Sequence, residues 1–436
     1  MAGLTSLVTG PLWTPACAAD TLPAFTMATP AAPNPPIALS LAQVLEAVQG
    51  NPDVLVALRN LDAAQADVLS AKRMPAPIFS TGVSSIDLHN GVGGGSLVTQ
   101  KRLDKSLGVD WTWERGNKRA LRTEQAERLV LAAQADSHET LVLQKIGALA
   151  AFYDLQAAQQ RLQTLQNLAQ SAEKLAQTAE RRLKAGDLSA QDTARTQIEA
   201  ARTQADLKTA QLERQQAAQW LSTWTGLTVP AAGWQIQSDW PANATGPLPA
   251  ADQIDALVEL RSDVMAARTR LAAAQTAVES AQALRITDPT LGSTFDHIPN
   301  ALGNTTRLLA FRIAMPLTTG HRFDGEIGRA TAQEAQSRDV LKKTQIKARA
   351  ELTALVQAWQ ASQARLKIYE DSILPQAIRV ATQAETAYNK GGLTLTDLLD
   401  ARRTLQITQL DALAVRSEHA KAQGAWLLRQ SAQVAP

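Results

Sequence analysis

Ser106-Leu107-Gly108-Val109-Asp110-Trp111-Thr112-Trp113 alternates small or polar residues with Leu107, Val109, Trp111 and Trp113. In the second half of the chain Leu309, Phe311, Ile313, Met315 and Leu317 alternate in the same way with Ala310, Arg312, Ala314 and Pro316. Both stretches read as period-two strands of about nine residues, apolar and partly aromatic on one face. Such a strand has the length and dyad pattern of one that crosses an outer membrane; a half-buried strand in a soluble sheet would share the pattern. Less regular partners at 78–88 and 290–297, with glycine-rich or polar connections at 91–95 and 300–306, complete two hairpins, so about four strands are expected. Four strands cannot close a barrel, which takes about eight. An open edge in lipid leaves backbone groups unpaired, so strands of this kind must be pooled between chains, and three chains would supply about 12.

The strands are set between long helical stretches. No proline and a single glycine, Gly147, occur from Lys118 to Lys184, a span that as a helix reaches about 100 Å. Leu155, Leu162, Ala169, Ala176 and Leu183 recur every seven residues, with Ala158, Leu165, Ala172 and Ala179 as the second seam. Alanine at half the seam positions lets backbones approach closely and suits a sheath of side-by-side helices. A second rod, 328–388, is expected to kink or break at Pro375. Each half also opens with a helix of roughly 30 residues, at 41–73 and 251–285.

The two halves follow one plan. Asn51-Pro52-Asp53-Val54 leads to Leu61-Asp62-Ala63-Ala64-Gln65, and Arg261-Ser262-Asp263-Val264 leads to Leu271-Ala272-Ala273-Ala274-Gln275, at a constant offset of 210. Lys184-Ala185-Gly186-Asp187-Leu188-Ser189 corresponds to Asn389-Lys390-Gly391-Gly392-Leu393-Thr394 at an offset of 205. An internal duplication with approximate symmetry follows. The expected organisation is a first repeat at 39–226 with its strand pair at 76–114, a linker at 227–249, and a second repeat at 250–436 with its strand pair at 287–317. Ahead of these, the uncharged residues 1–19 read as a secretory signal ending near Ala16-Cys17-Ala18 or Cys17-Ala18-Ala19, with Cys17 either removed or lipidated, and the proline-rich 20–38 as an extended linker. Beyond the leader no run of 18 apolar residues occurs, so no membrane-spanning helix is expected.

Composition closes several alternatives. The 436 residues carry 43 Lys plus Arg against 41 Asp plus Glu, a formal charge of +2, which argues against nucleic-acid binding. One cysteine excludes an internal disulfide framework or a Cys-based metal cluster, and the five histidines form no HExxH pattern. No Ser-His-Asp order or phosphate loop emerges, so neither enzymatic activity nor a cofactor is expected. Asp87 with His89 offers two donors at most, and His297 follows Asp296; both histidines are expected near loops rather than in a metal site.

The order and spacing of Leu39-Ser40-Leu41-Ala42, Asn51-Pro52-Asp53, Leu260-Arg261-Ser262-Asp263-Val264, Met315-Pro316-Leu317, Ile373-Leu374-Pro375-Gln376-Ala377 and Ala387-Tyr388-Asn389-Lys390-Gly391 resemble the TolC-like outer-membrane efflux proteins from Leu39 onward. The resemblance implies a mainly α fold with a small β part: a homotrimer with a 12-stranded barrel in the Gram-negative outer membrane and a periplasmic α-helical tunnel. It further implies docking to a periplasmic adaptor (membrane fusion) protein and an inner-membrane RND-type or ABC pump. On it, Leu107, Val109, Trp111, Trp113, Leu309, Phe311, Ile313 and Met315 would meet lipid. Arg115-Gly116-Asn117-Lys118-Arg119 is similar to the Gly-Gly-Lys-Arg type sequence of cobalt-zinc-cadmium efflux outer-membrane components, with Asn117 replacing the second glycine. The same cluster also reads as a barrel anchor at the periplasmic interface.

Tyr388 to Asp400 resembles the family's periplasmic entrance, where a tyrosine and two aspartates three residues apart help form the constriction. Tyr388, Asp397 and Asp400 hold those positions, Asp192 is the first tip's candidate, and Leu393 stands where a basic residue is expected. Thr394 to Asp397 and Ser189 to Asp192 also have capping-box spacing, with Gly186 and Gly391 ending the preceding helices. The tips at Gly186, Ser189, Gly391 and Thr394 are the expected adaptor contacts. The function implied is an efflux exit duct for metal cations or small toxic compounds. A type I protein-secretion duct and a poreless periplasmic coiled-coil adaptor or structural protein are the alternatives.

Overall fold

The computed structural model describes residues 37–89, 91–93, 102–231, 233–242, 251–299, 305–317, 320 and 322–431. The expected signal at 1–19, most of the linker at 20–38, part of the linker at 227–249 and much of both hairpin connections lie outside the described residues.

The first half runs β1 (Ile37–Leu39), α1 (Leu41–Ala47), α2 (Pro52–Ala71), β2 (Ile78–Ser84), β3 (Asp104–Thr112), α3 (Lys118–Ala185) and α4 (Ala190–Thr225). After the short β4 (Trp234–Ile236) the order repeats as α5 (Ala251–Glu259), α6 (Ser262–Ala283), β5 (Thr290–Pro299), β6 (Thr305–Ala314), α7 (Asp324–Ile368), α8 (Leu374–Asn389) and α9 (Leu395–Ser431). The fold is mainly helical with a small sheet, built twice.

Helix α3 is a single rod of 68 residues, about 100 Å long. Of its seam residues, Leu155, Leu162, Leu165, Ala169, Ala172, Ala176 and Ala179 are buried, and Ala158 and Leu183 half-buried. It packs along α2, α4, α6 and α9. Each repeat has its own core: Val44, Val48, Phe152, Leu155, Leu221 and Trp234 in one, and Val258, Val264, Leu352, Trp359 and Trp426 in the other.

The expected 30-residue opening helices are each broken. A turn of 3₁₀ helix at Val48–Gly50 separates α1 from α2. Pro52 cannot continue a helix but starts one well, and Asn51 caps α2 by accepting from the Asp53 amide at 2.8 Å. The Asn51 Nδ2 also donates to the Thr223 and Trp224 carbonyls at 3.1 and 2.8 Å, closing the C-terminus of α4. At the equivalent place in the second half Arg261 separates α5 from α6. Its side chain is 2% exposed and pairs with Asp263 at 2.7 Å and Glu351 at 2.9 Å. Nearby, Arg429 holds Glu139 through both carboxylate oxygens, at 2.7 and 2.8 Å. Burial nonetheless pushes the Glu139 carboxyl above its ordinary value, outweighing Arg429. The expected break at Pro375 is a π turn at Tyr369–Ile373 instead, after which α8 begins at once. A wider turn accommodates a ring that lacks an N–H and crowds the carbonyl four residues back.

β2, β3, β5 and β6 form one antiparallel sheet in that order, with β3–β5 joining the two repeats. β1 and β4 form a separate two-stranded parallel sheet that pairs Ile37 with Trp234. Three-residue strands this far apart in sequence carry no period that would reveal them.

Candidate functional site

The helical tips are built from capping chemistry. At the end of α3 Gly186 takes φ 82°, and the Asp187 amide returns to the Arg182 carbonyl at 2.9 Å. Gly391 takes φ 77° after α8, and the Gly392 amide returns to the Ala387 carbonyl at 2.9 Å. The left-handed conformation is open to glycine and reverses the chain within a few residues. Ser189 then accepts from the Asp192 amide at 3.0 Å and donates to the Asp192 Oδ2 at 2.7 Å. Thr394 accepts from the Asp397 amide at 3.3 Å and donates to the Asp397 Oδ2 at 2.6 Å. Asp192 and Asp397 are therefore both capping residues, whereas Asp400, one turn further along α9 and exposed, takes no part in a cap.

Two arginines outside the expected site residues bind one tip to the other. Arg182 donates to the Tyr388 Oη at 3.4 Å, with its guanidinium carbon 5.9 Å from the ring centroid. Arg195 donates to the Thr396 Oγ1 at 2.7 Å and lies 3.8 Å from Asp192. At the tip offset of 205, Arg195 is the repeat counterpart of Asp400, so one tip carries a cation where the other carries an anion. Just inside the tips, α3, α4, α8 and α9 enclose a cleft of about 270 Å³ lined by Leu168, Leu175, Glu199, Glu385, Leu399 and Arg402. Glu385 and Arg402 pair across it at 2.6 Å.

At the other end of the helices, the sheet register places Leu107 opposite Phe295 and Phe295 opposite Leu309. Val109, Ser293 and Phe311 make the next row, and Trp111, Leu291 and Ile313 the third. Directly paired residues share a face, so the residues expected on one apolar face are brought together there. They are exposed, Phe311 by 78% and Ile313 by 74%. Trp113 and Met315, also exposed, follow immediately after β3 and β6. The opposite face is mostly polar or small: Ser80, Gly108, Thr294 and Ala310 form one row, and Ile78, Asp110, Gly292 and Arg312 another. Arg312 reaches across Gly292 to the Asp110 Oδ1 at 2.6 Å.

The basic segment after β3 is the joint between sheet and helices. Asn117 takes φ 57°, a left-handed conformation that Asn tolerates, and so serves where a glycine would. The Arg115 amide donates to the Asp288 Oδ1 at 2.8 Å, and the Lys118 Nζ to the Asp288 Oδ2 at 2.8 Å and the Ile286 carbonyl at 2.6 Å. The His89 amide donates to the Asp87 Oδ1 at 2.8 Å, an ordinary loop turn. Among the described residues no three His, Cys, Asp or Glu side chains come together to hold a metal ion, and no helix is long and apolar enough to cross a membrane.

No curated protein sequence matches the chain. Solved structures share the fold. The CmeC outer membrane channel of Campylobacter jejuni has a TM-score of 0.76 at 14% identity, over 91% of this chain and 87% of that one. The outer membrane protein VceC of Vibrio cholerae has 0.69 at 21%, over 89% and 95%. The open-state MtrE outer membrane channel of Neisseria gonorrhoeae has 0.70 at 15%, over 89% and 88%. The profile of the outer membrane efflux protein family matches residues 44–227 and 254–427, once in each repeat. With most of its length matched in two copies, the chain belongs to the outer membrane efflux protein family, the TolC-like channels that combine an outer-membrane barrel with a periplasmic helical tunnel.

Proposed function

We propose that three copies of this chain pool their sheets into a 12-stranded barrel and act as the exit duct of a tripartite efflux system. The duct carries small toxic compounds or metal cations from an inner-membrane RND-type or ABC pump, through a periplasmic adaptor, to the exterior. The observation that carries the reading is the four-stranded sheet itself. It ends on two strands, β2 and β6, each with one neighbour, while one face is apolar and exposed. In lipid those edges must be closed, and edge-to-edge pairing of copies closes them. The face carrying Leu107, Val109, Trp111, Trp113, Leu309, Phe311, Ile313 and Met315 then meets hydrocarbon, and the Asp110 and Arg312 face lines the lumen.

At the far end the tips would form the periplasmic entrance. Tyr388, held by Arg182, and Thr396, held by Arg195, fasten the closed arrangement, and Asp397 and Asp400 place negative charge at the mouth, with Asp192 acting as a cap. Gly186, Ser189, Gly391 and Thr394 at the turns are the surface offered to the adaptor. The contacts of Arg115 and Lys118 to Asp288 favour the anchoring role of that segment over a metal-handling one. The protein should fractionate with outer membranes and show the native mass of three chains; a soluble monomer overturns the reading. Deleting the gene and measuring metal and drug tolerance side by side identifies the cargo.

A further inference from the structure

The alternation of β3 runs on past the end of the strand. The Trp113 amide donates to the Pro289 carbonyl at 2.9 Å, so the β3–β5 ladder continues one residue beyond Thr112. Trp111 and Trp113 share the exposed apolar face, and Arg115 is the next residue of that alternation before α3 begins. At this joint between sheet and helices Met74, Pro75, Trp111, Trp113, Arg115 and Arg119 line a cleft of about 470 Å³. Its sheet side is aromatic and its helix side cationic.

The carboxylates at the joint are engaged by other groups. Glu114 accepts from Arg122 at 2.8 and 3.3 Å, and Asp288 accepts from the Lys118 Nζ and the Arg115 amide, each at 2.8 Å. The side chains of Arg115 and Arg119 are exposed and form no ion pair or hydrogen bond among the described residues. A guanidinium stays charged at physiological pH, and beside hydrocarbon it calls for a counter-ion. The second repeat does not copy this cationic side. Phe323 takes φ 55° before α7, as Asn117 takes φ 57° before α3, but Asp324 and Gly325 then stand where Lys118 and Arg119 do. Asp324 is held by Arg285 at 3.2 Å. We propose that the first joint binds the phosphate of an anionic phospholipid in the periplasmic leaflet, one per chain. Phosphate complements the two guanidinium charges and offers each paired acceptors, and the acyl chains lie along Trp111 and Trp113. The inference rests on the apolar face meeting lipid, and it names the ligand through which the basic segment anchors the barrel.

The test uses the full chain in nanodiscs, with phosphatidylglycerol, phosphatidylcholine and inorganic phosphate as probes and native mass spectrometry as the readout. The expected result is preferential retention of phosphatidylglycerol, weakened about tenfold or more by combining Arg115→Gln with Arg119→Gln. Lys118 is left in place because it holds Asp288. If the double variant fails to assemble, Arg119→Gln against Arg119→Lys carries the test, since lysine keeps the charge without the fork and should retain more lipid than glutamine. Equal retention of both lipids, or retention indifferent to these substitutions, overturns the proposal. Displacement by millimolar inorganic phosphate would mark a free-anion site and overturn it as well. Phe311→Cys in the same nanodiscs separates the two levels. Labelling by a water-soluble maleimide sinks the lipid-facing reading itself, whereas protection with headgroup-independent retention sinks only the phosphate site.

Discussion

Arg195 on α4 donates a hydrogen bond to the Thr396 Oγ1 on α9 at 2.7 Å, and so ties the first helical tip to the second within one protomer. Together with Arg182 on Tyr388 it is, on the proposed function, the polar link that opening of the entrance would have to break. Each exposed hydrogen bond is worth about 0.5–1.5 kcal/mol. Arg182→Ala combined with Arg195→Ala is therefore expected to shift the closed-to-open ratio by about tenfold and to raise single-channel conductance in planar bilayers. A double variant with wild-type conductance would show that the fastening lies elsewhere.

Asp397 and Asp400 lie on one face of α9, a turn apart, and three copies would gather their charge at the mouth. The Asp397 carboxylate also accepts from Thr394, and asparagine keeps an acceptor there, so charge is separable from cap. Asp397→Asn with Asp400→Asn should weaken block by divalent cations while leaving the thermal unfolding midpoint within a few degrees. Unchanged block and conductance would assign both residues to capping alone.

The long-range plan was legible because it rests on periodicity. The seam of α3, the alternation around Trp111 and Phe311, and the offset of 210 between Asn51 and Arg261 are patterns a single strand or helix repeats many times. What escaped reading is set by contacts between distant segments. β1 meets β4 through three residues each, and Arg182 finds Tyr388 across 206 positions. The break at Asn51 has a local signal in Pro52, which cannot continue a helix, whereas at Arg261 helical periodicity runs across the break; hydrogen bonds to Thr223 and ion pairs to Glu351 fix the two in place. The tip arginines left a faint trace, Arg195 standing at the repeat position of Asp400.

Gly147 is the single glycine of α3, and its place follows from Trp224. A Cβ at residue 147 would strike that indole ring, which packs against the first repeat's core. Alanine gains about 1 kcal/mol of helix propensity over glycine, but overpacking a core costs about 1–3 kcal/mol. Gly147→Ala should therefore destabilise the protein, by a lowered denaturant midpoint. Gly147→Ala combined with Trp224→Leu should recover part of the loss.

Phe311 and Ala310 are neighbours on β6 but belong to opposite faces. Arginine on the lipid side of a barrel costs about 2–4 kcal/mol at the bilayer midplane, whereas lumen substitutions mainly tune selectivity. Phe311→Arg should reduce the yield of folded, heat-resistant oligomer in outer membranes, and Ala310→Arg should leave the yield and change ion selectivity. Equal losses from both would mean that the two faces do not divide lipid from lumen.

His419 on α9 is 1% exposed, its Nδ1 lies 3.4 Å from the Ser362 Oγ, and its Nε2 has no partner. Burial pushes the imidazole below its ordinary value of 6.5, against the opposing pull of Gln423 and Glu370. The folded chain thus binds the proton less readily than the unfolded one. The stability this group contributes is complete above pH 6.5 and is lost as pH falls through the lowered value, by up to about 1.4 kcal/mol for each unit separating the two states. Denaturant midpoints should accordingly begin to fall as pH drops through about 6.5. His419→Gln, which keeps a polar group but cannot titrate, should flatten that fall while leaving losses at lower pH, where carboxylates protonate. A slope that persists unchanged in His419→Gln would place the acid sensitivity outside the contact between α7 and α9.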